Sequence, residues 1–231
     1  MQSRGEPRVL IVDCYLDDVG GARNIEPYFE GAEVLRAAHD ALPESLEAEG
    51  IVISGSAASV LEPPAWASRL ETLVSAAAER ETPILGLCFG HQLLARAVFG
   101  ERAVRSAVIP ELGWTTVRRV GTDPLFAGLE DEFTTFVSHK DEVDASCPAF
   151  RENARILASN RACEVEAFRV EGRPLWGVQF HAEMQLGESS ELVRSRMGRD
   201  SDEAKAELSR AIATPELVCA LFRNFREELL G

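Results

Sequence analysis

Residues Thr82 to Gly100 read TPILGLCFGHQLLARAVFG, and this stretch decides the fold class. The apolar run from Ile84 to Leu87 predicts a buried strand, and the apolar residues after Gly90 recur at helical spacing. Between the two lies Gly86-Leu87-Cys88-Phe89-Gly90. A strand, a Gly-x-Cys-x-Gly turn and a helix in succession are typical of a nucleophile elbow with Cys in place of Ser. The stretch therefore predicts an α/β fold in which a sharp turn presents Cys88.

The position of Cys88 at the start of a helix favours a reactive thiolate. The first N–H groups of a helix stabilise negative charge, both on sulfur and on an oxyanion that develops beside it. Most lone cysteines are instead small core residues. We predict that role for the remaining four: Cys14, Cys147, Cys163 and Cys219.

Composition narrows the function classes. The chain has 231 residues, a formal net charge of −14 and 45% hydrophobic residues. The negative charge argues against non-specific nucleic-acid binding, which depends on Lys and Arg. No run approaches the ~20 apolar residues of a membrane span, and we find no signal peptide. Five scattered cysteines without a CxxC pair predict neither a disulfide framework nor a metal site, so we expect a cytoplasmic protein without cofactors.

Buried strands and helices alternate in the first hundred residues. Apolar runs at Arg8–Asp13 and Gly50–Ser54 read as buried parallel strands, Glu33–Ala37 as a weaker one, and Gly21–Glu30 as a short helix. A helix is expected over Trp66–Arg80. This order predicts a mostly parallel central sheet flanked by helices.

The pattern changes after Ala103. Period-two strands are expected at 104–108, 115–119, 156–159, 163–170 and 175–180. The rest, from Met184, is charged and helix-prone, with helix starts near Ser201 and Thr214-Pro215. We therefore expect a single domain over 1–231, with a core at 8–183 and a C-terminal helical extension at 184–231.

A thiol nucleophile needs a base, usually a His that a third group orients. Of His39, His91, His139 and His181, the last is the best candidate, because it follows the apolar strand Trp176–Phe180. Parallel sheets present functional groups at such strand ends. Glu183, two residues later in an extended segment, would lie on the same side and accept from the imidazole. We predict that His39 and His91 are structural.

These motifs resemble the class I (triad) glutamine amidotransferase family. The resemblance rests on Gly86–Gln92 and on Gly177-Val-Gln-Phe-His-Ala-Glu183. Val52–Val60 is similar to the family's oxyanion loop, and Val137–Val143 to a segment of the GMP synthase amidotransferase branch. Pro110-Glu-Leu-Gly-Trp114 looks more like the standalone, GMP-synthase-like members of that branch.

The resemblance implies a flavodoxin-like fold and a division of roles. Cys88 would attack the side-chain amide of glutamine to form a γ-glutamyl thioester, His181 would transfer protons and Glu183 would orient His181. The N–H groups of Gly55 and Phe89 would form the oxyanion hole. The implied substrate-binding residues are Gln92, Ser138 and His139.

The chain departs from the family pattern at two places. The oxyanion loop reads Gly55-Ser56-Ala57 where Gly-Gly-Pro is usual, and a glycine at the second position often serves a positive φ. His181-Ala182-Glu183 replaces His-Pro-Glu, which removes no catalytic group. The intracellular-protease branch is disfavoured, because Phe89 stands where that branch has a His directly after the Cys.

Three functions follow from this reading. The first is a glutaminase whose ammonia passes to a separate synthetase chain, since neither a Walker-type motif nor a Ser-Gly-Gly-x-Asp signature occurs on this chain. The second is a free-standing γ-glutamyl hydrolase or peptidase with the same triad. The third, a non-catalytic binding module, is disfavoured by the joint presence of Cys88, His181 and Glu183. A homodimer is left open.

Overall fold

The computed structural model describes residues 8–17 and 21–230. Its strands are β1 (Val9–Asp13), β2 (Glu33–Arg36), β3 (Gly50–Ile53), β4 (Ile84–Leu87), β5 (Val104–Arg119), β6 (Glu132–Val143), β7 (Ala154–Ser159), β8 (Ala167–Val170) and β9 (Leu175–Val178). Its helices are α1 (Ala65–Glu79), α2 (Phe89–Phe99), α3 (Pro148–Asn153), α4 (Leu186–Met197), α5 (Asp202–Leu208) and α6 (Pro215–Leu230).

One sheet of nine strands organises the described residues, in the order β2-β1-β3-β4-β9-β8-β7-β5-β6. The strands from β2 to β9 in this order pair in parallel, and those from β9 to β6 pair antiparallel. Strands β4 and β9 are neighbours, with Leu87 opposite Val178. Because both run in the same direction, the residues that follow them meet at one edge of the sheet.

Alternating side chains of the strands enter cores on opposite faces of the sheet. Leu10 and Val12 of β1 pack in the core under α1 and α2, whereas Val9 and Ile11 pack in the core under α6. This alternation is the period-two geometry of a strand buried on both faces. The expected α/β sheet flanked by helices, with helices at the C-terminal end, is confirmed.

The C-terminal helices contact the sheet in two places. Helix α6 contributes Leu221 and Phe222 to one main core. Helices α4 and α5 cover a smaller cluster that contains Trp114 and Phe136, from β5 and β6. Ser201 caps α5, accepting the Ala204 N–H at 3.0 Å, as its sequence predicted. That residues 1–231 form one domain, divided near residue 183, stays a prediction.

Several expected elements differ in extent. The region 163–170 is a strand only from Ala167, because Asn160 Oδ1 accepts the N–H groups of Ala162 and Cys163 and turns the chain. The two strands expected at 104–108 and 115–119 are one strand, β5, whose pairing shifts register between Ser106 and Glu111.

The expected helix at 21–30 is also different. It consists of two short 3₁₀ turns, Ala22–Asn24 and Glu26–Tyr28. Gly21 precedes the first turn, and Asp13 accepts its N–H. Within the described residues, no helix has the length and apolar character needed to cross a membrane. The cytoplasmic location stays a prediction.

Candidate active site

Cys88 occupies a strained turn between β4 and α2. Its φ is +48° and its ψ is −101°, a conformation that L residues rarely adopt. The turn fits only because its glycines leave room: a Cβ on Gly86 would lie 2.3 Å from the Gly90 carbonyl oxygen. The Cys88 N–H donates to the Val178 carbonyl at 2.8 Å, which ties the elbow to the end of β9. The predicted elbow geometry is therefore present.

His181 and Glu183 follow β9 at the same edge of the sheet. The His181 Nδ1 and Glu183 Oε1 are 2.8 Å apart, and both side chains are buried. A hydrogen bond from Nδ1–H to the carboxylate leaves Nε2 as the nitrogen available to a thiol. The His181 N–H donates to the Phe136 carbonyl at 2.8 Å, so β6 also holds the backbone of this segment.

The cysteine and the histidine face each other across Gly55. A Cβ built on Gly55 would lie 2.8 Å from His181 Cε1 and 3.6 Å from Cys88 Cβ. A glycine is needed here for close approach of the imidazole ring. The structure thus brings together Cys88, His181, Glu183 and Gly55, and the roles expected of them stay a prediction.

Electrostatics favour a charged imidazole in this arrangement. Burial by itself lowers the pKa of His181, but the negative charges of Cys88 and Glu183 and hydrogen bonds to both raise it well above the usual value. A protonated His181 beside Cys88 is the state that stabilises a thiolate. The site can therefore hold a thiolate–imidazolium pair.

The two predicted oxyanion donors flank the thiol. Phe89 is the first residue of α2, and Gly55 lies just beyond β3. Neither backbone N–H has a hydrogen-bond acceptor in the part of the chain that the structure describes. Ser56 is not among the described residues with positive φ, so the loop does not require a second glycine there. The departure from the usual Gly-Gly-Pro sequence is accommodated without that strain.

The three predicted substrate-binding residues lie around the same cleft. Gln92, Ser138 and His139 all line a cavity of about 390 Å³ that contains Cys88. The Ser138 carbonyl lies 3.7 Å from the Cys88 Sγ, which can donate to it. Gln92 is buried and donates to the Asp141 carbonyl at 2.6 Å and to Gln179 Oε1 at 3.0 Å. Its Nε2 is therefore already occupied by contacts within the protein.

His139 is held by two contacts beneath the cleft. Its Nδ1 lies 3.2 Å from the Asp141 carbonyl and its Nε2 lies 3.3 Å from Glu111 Oε2. Both contacts restrict the ring to one orientation, so His139 contributes to the cavity wall more than it projects into the cavity.

Sequence reasoning missed two residues near the thiol. Gln179 is fully buried, and its Nε2 lies 3.5 Å from the Cys88 Sγ, where it can donate to a thiolate. Tyr15 lines a neighbouring cavity of about 690 Å³, and burial, followed by the charges of Glu183 and Cys88, raises its pKa. Gln179 lies inside the Gly177–Glu183 motif that indicated His181, and its position directly after β9 could have predicted that it lies near the thiol. Tyr15 follows β1 without a recognisable motif.

His91 lies in the core, as predicted for a structural histidine. It packs against Phe168 with ring centroids 5.0 Å apart, and burial lowers its pKa to about 3. A Cβ on Gly177 would lie 2.6 Å from its Nδ1, so β9 passes directly against the ring. His91 is therefore a neutral packing residue.

The sequence profile of the family described as glutamine amidotransferase class-I matches residues 20–197. The chain belongs to this family. The resemblance drawn from the sequence motifs is confirmed, and so is the prediction of a class I glutamine amidotransferase, an enzyme type that uses a Cys nucleophile.

Individual relatives agree with the family assignment. The chain is 39% identical over 183 residues to a subunit of the glutamine-hydrolyzing GMP synthase of Methanopyrus kandleri, covering 78% of this chain and 91% of that protein. It is 35% identical over 187 residues to the glutamine-hydrolyzing GMP synthase of Aeropyrum pernix, covering 78% of this chain and 33% of that longer protein. A glutamine amidotransferase from Thermotoga maritima has the same fold, with a TM-score of 0.78, 21% identity and coverage of 98% and 99%.

Proposed function

We propose that this amidotransferase is a GMP-synthase-like glutaminase that hydrolyses the side-chain amide of glutamine through Cys88, His181 and Glu183. The observation that carries the proposal is the meeting of the strained Cys88 elbow with the His181–Glu183 pair across Gly55. Glutamine as the substrate is supported by similarity to subunits of glutamine-hydrolyzing GMP synthases.

The reaction begins with transfer of the Cys88 proton to Nε2 of His181. The sulfur then attacks the amide carbon, and the N–H groups of Phe89 and Gly55 stabilise the oxyanion; one such donor is typically worth about 10²–10³ in rate. The imidazolium returns its proton to the leaving nitrogen, which departs as ammonia and leaves a γ-glutamyl thioester. A water molecule, deprotonated by His181, then attacks the thioester to give glutamate and the free thiol.

Glu183 keeps His181 in the productive tautomer. Its Oε1 accepts from Nδ1 at 2.8 Å, which directs Nε2 to the sulfur and stabilises the imidazolium that forms in each half-reaction. Gln179 stabilises the thiolate of Cys88, because its side-chain N–H group can donate to the sulfur at 3.5 Å.

The ammonia acceptor is proposed to be a separate synthetase chain. The relatives that are named as GMP synthase subunits support this, and the chain matches only a third of the longer GMP synthase of Aeropyrum pernix. Because these relatives belong to GMP synthases, we propose that the partner synthetase makes GMP. The homodimer remains a prediction.

A second candidate, a γ-glutamyl hydrolase, is favoured by the size of the cleft. The cavity of about 390 Å³ at Cys88 adjoins the cavity of about 690 Å³ under α4, and both are lined by Ser56, Ala57, Ser138 and Arg196. Volumes of ~300–1,000 Å³ accommodate ligands larger than a single amino acid. A γ-glutamyl compound with an additional residue would therefore fit.

The two candidates are separated by substrate preference. Release of ammonia from glutamine and cleavage of γ-glutamyl dipeptides are measured for the wild type and Cys88→Ala, with and without native extract as a source of synthetase. We expect ammonia release that depends on Cys88 and increases with extract. Rapid dipeptide cleavage with negligible ammonia release in both conditions would establish the hydrolase instead.

A further inference from the structure

A second group of reactive side chains lies at the wall of the Cys88 cavity, where His139 lines it. A ring nitrogen of His139, the Sγ of Cys163 and a carboxylate oxygen of Glu166 all lie within 4.8 Å of one another. All three residues are buried, and Glu166 is 0% exposed. His139 belongs to β6, whereas Cys163 and Glu166 belong to the turn that precedes β8. The proposed glutaminase reaction uses neither Cys163 nor Glu166.

The hydrogen bonds of His139 prepare its ring for a cation. Since the Asp141 carbonyl can only accept, Nδ1 carries a proton, and in the neutral ring Nε2 directs a lone pair at Glu111 Oε2 from 3.3 Å. Two acceptors at this distance repel unless a proton or a cation lies with them. A histidine that donates one N–H to a backbone carbonyl is the usual arrangement of a metal ligand.

The carboxylates around His139 are not balanced by a Lys or Arg side chain among the described residues. Glu166 Oε1 accepts from Asn160 Nδ2 at 2.6 Å, but its Oε2 has no partner in the described chain. The same Asn160 nitrogen lies 3.0 Å from Glu111. Neither Glu111 nor Glu166 forms an ion pair with Lys or Arg among the described residues. Because burial of an unpaired charge is costly, Glu166 needs either a proton or a cation as its partner, and His139 and Cys163 lie close enough to share a cation with it.

Nearby Glu142 shows the contrast. It is also buried and its Oε2 has no hydrogen-bond partner among the described residues, but its Oε1 pairs with Arg105 Nε at 2.8 Å. The chain therefore balances one carboxylate of this region with a guanidinium, whereas Glu111 and Glu166 have no such partner among the described residues.

We propose that His139 Nε2, Cys163 Sγ and Glu166 Oε2 bind Zn²⁺, with the Glu111 carboxylate as the fourth ligand. Nitrogen, sulfur and oxygen donors in a group of four suit the tetrahedral preference of zinc, and four protein ligands make a closed, structural site. Glu111 and His139 line the Cys88 cavity, which gives the ion a path of entry.

The proposed zinc would stabilise one wall of the active site without taking part in the reaction. It would link β6 to the turn before β8 close to Ser138, whose carbonyl faces the Cys88 sulfur at 3.7 Å. Since binding is linked to folding, the metal would also raise the stability of the native chain.

The test measures zinc binding by metal-free, full-length protein. Zinc content and affinity are determined by elemental analysis and chelator competition for five proteins: the wild type, Cys88→Ala, Cys147→Ser, Cys163→Ser and Glu166→Gln. Cys88→Ala controls for binding at the active-site thiol, and Cys147→Ser controls for loss of a buried cysteine elsewhere. We expect one zinc per chain in the wild type and both controls, and at least ~100-fold weaker binding in the other two.

A cobalt readout and a thermal readout accompany the affinities. Co²⁺ should give a thiolate charge-transfer absorption in the wild type and Cys88→Ala that is absent in Cys163→Ser. A Zn²⁺ concentration that just saturates the wild type should raise its melting temperature clearly more than that of Glu166→Gln, which retains the shape of the side chain. If Cys163→Ser does not fold, the zinc affinity and the melting temperature of Glu166→Gln test the proposal. Binding that disappears in Cys88→Ala, or that is equal in all five proteins or absent from the wild type, would overturn the proposal.

Discussion

The parallel and antiparallel halves of the sheet bring polar groups together in different ways. In the parallel half, β4 and β9 end at one edge, so Cys88 and His181 follow their strands directly into a shared cleft. In the antiparallel half, His139 lies within β6, and it meets Cys163 and Glu166 from a turn stabilised by Asn160. Cys88 and His181 line cavities of the cleft, whereas Cys163 and Glu166 are buried between elements.

Strand ends and buried positions between elements suit different kinds of polar group. A strand end frees the backbone and points a side chain toward a cleft, which suits groups that must touch a substrate. A buried polar group must be satisfied where it lies, which suits a bound ion or a hydrogen-bond network. We therefore expect substitutions at the strand ends to reduce turnover, and substitutions in the antiparallel group to alter metal binding and stability.

The largest expected effect is at Cys88. Cys88→Ser should lose activity by about 10⁴–10⁶-fold, the range for removal of a nucleophile or its partners from a triad. A hydroxyl is a far weaker nucleophile than a thiol at neutral pH. Ammonia release from glutamine provides the measurement, and circular dichroism checks folding. Cys147→Ser, at a buried cysteine before α3, should retain activity; equal losses in both variants would mean that the loss at Cys88 is not specific to the nucleophile.

A smaller loss is expected at Glu183. Glu183→Gln keeps the shape of the side chain but weakens the orientation and charge stabilisation of His181, which it contacts at 2.8 Å. The expected loss in kcat is on the order of 10²–10⁴-fold, typical of general acid–base catalysis. Steady-state kinetics at saturating glutamine measures it. A loss greater than that of Cys88→Ser would contradict the role of Glu183 as a positioning group.

Gly55→Ala tests the packing at the strand-end site alone, because it changes no catalytic group. The new Cβ would lie 2.8 Å from His181 Cε1 and would displace the ring, while the backbone N–H of residue 55 remains. Displacement by about 1 Å can cost on the order of 10²-fold in rate. Gly121→Ala is the matched control, since its Cβ would meet nothing within 4 Å and it lies outside the two cavities of the cleft. Equal activity of the two variants would mean that the imidazole is not held against Gly55.

The smallest expected effect is on stability. The pKa of His181 is raised in the folded chain, so its contribution to the free energy of unfolding is fully present below the unfolded value of about 6.5 and is lost as pH rises through the folded pKa. Glu183→Gln removes one cause of that shift. Denaturant unfolding should give Glu183→Gln a lower free energy of unfolding than the wild type, and the difference should be larger at about pH 6 than at about pH 9. A difference that grows with pH would argue against a protonated His181.

Most of the strand-end site could be predicted because its signals are local. Gly86, Cys88 and Gly90 mark the elbow within five residues, and His181 and Glu183 follow one apolar strand. That the cysteine and histidine meet required only that β4 and β9 be parallel neighbours, as they are. The roles assigned to these residues stay proposals that the kinetics above address.

The antiparallel group could not be predicted in the same way. Its ligand atoms come from positions 139, 163 and 166, without the short spacing that makes a metal motif recognisable. The region 163–170 also reads as a strand in sequence, whereas the Asn160 turn redirects its first half. A side chain that turns the backbone leaves no periodic signal, so both the turn and the cluster became visible only in three dimensions.

Covalent labelling with the glutamine analogue 6-diazo-5-oxonorleucine, followed by peptide mapping, identifies the nucleophile directly. We expect one adduct per chain, on Cys88, formed in the wild type and in Cys163→Ser and protected by glutamine. Cys88→Ala should remain unlabelled. Labelling of the wild type on another cysteine, or undiminished labelling of Cys88→Ala, would contradict the proposal that Cys88 is the nucleophile that attacks glutamine.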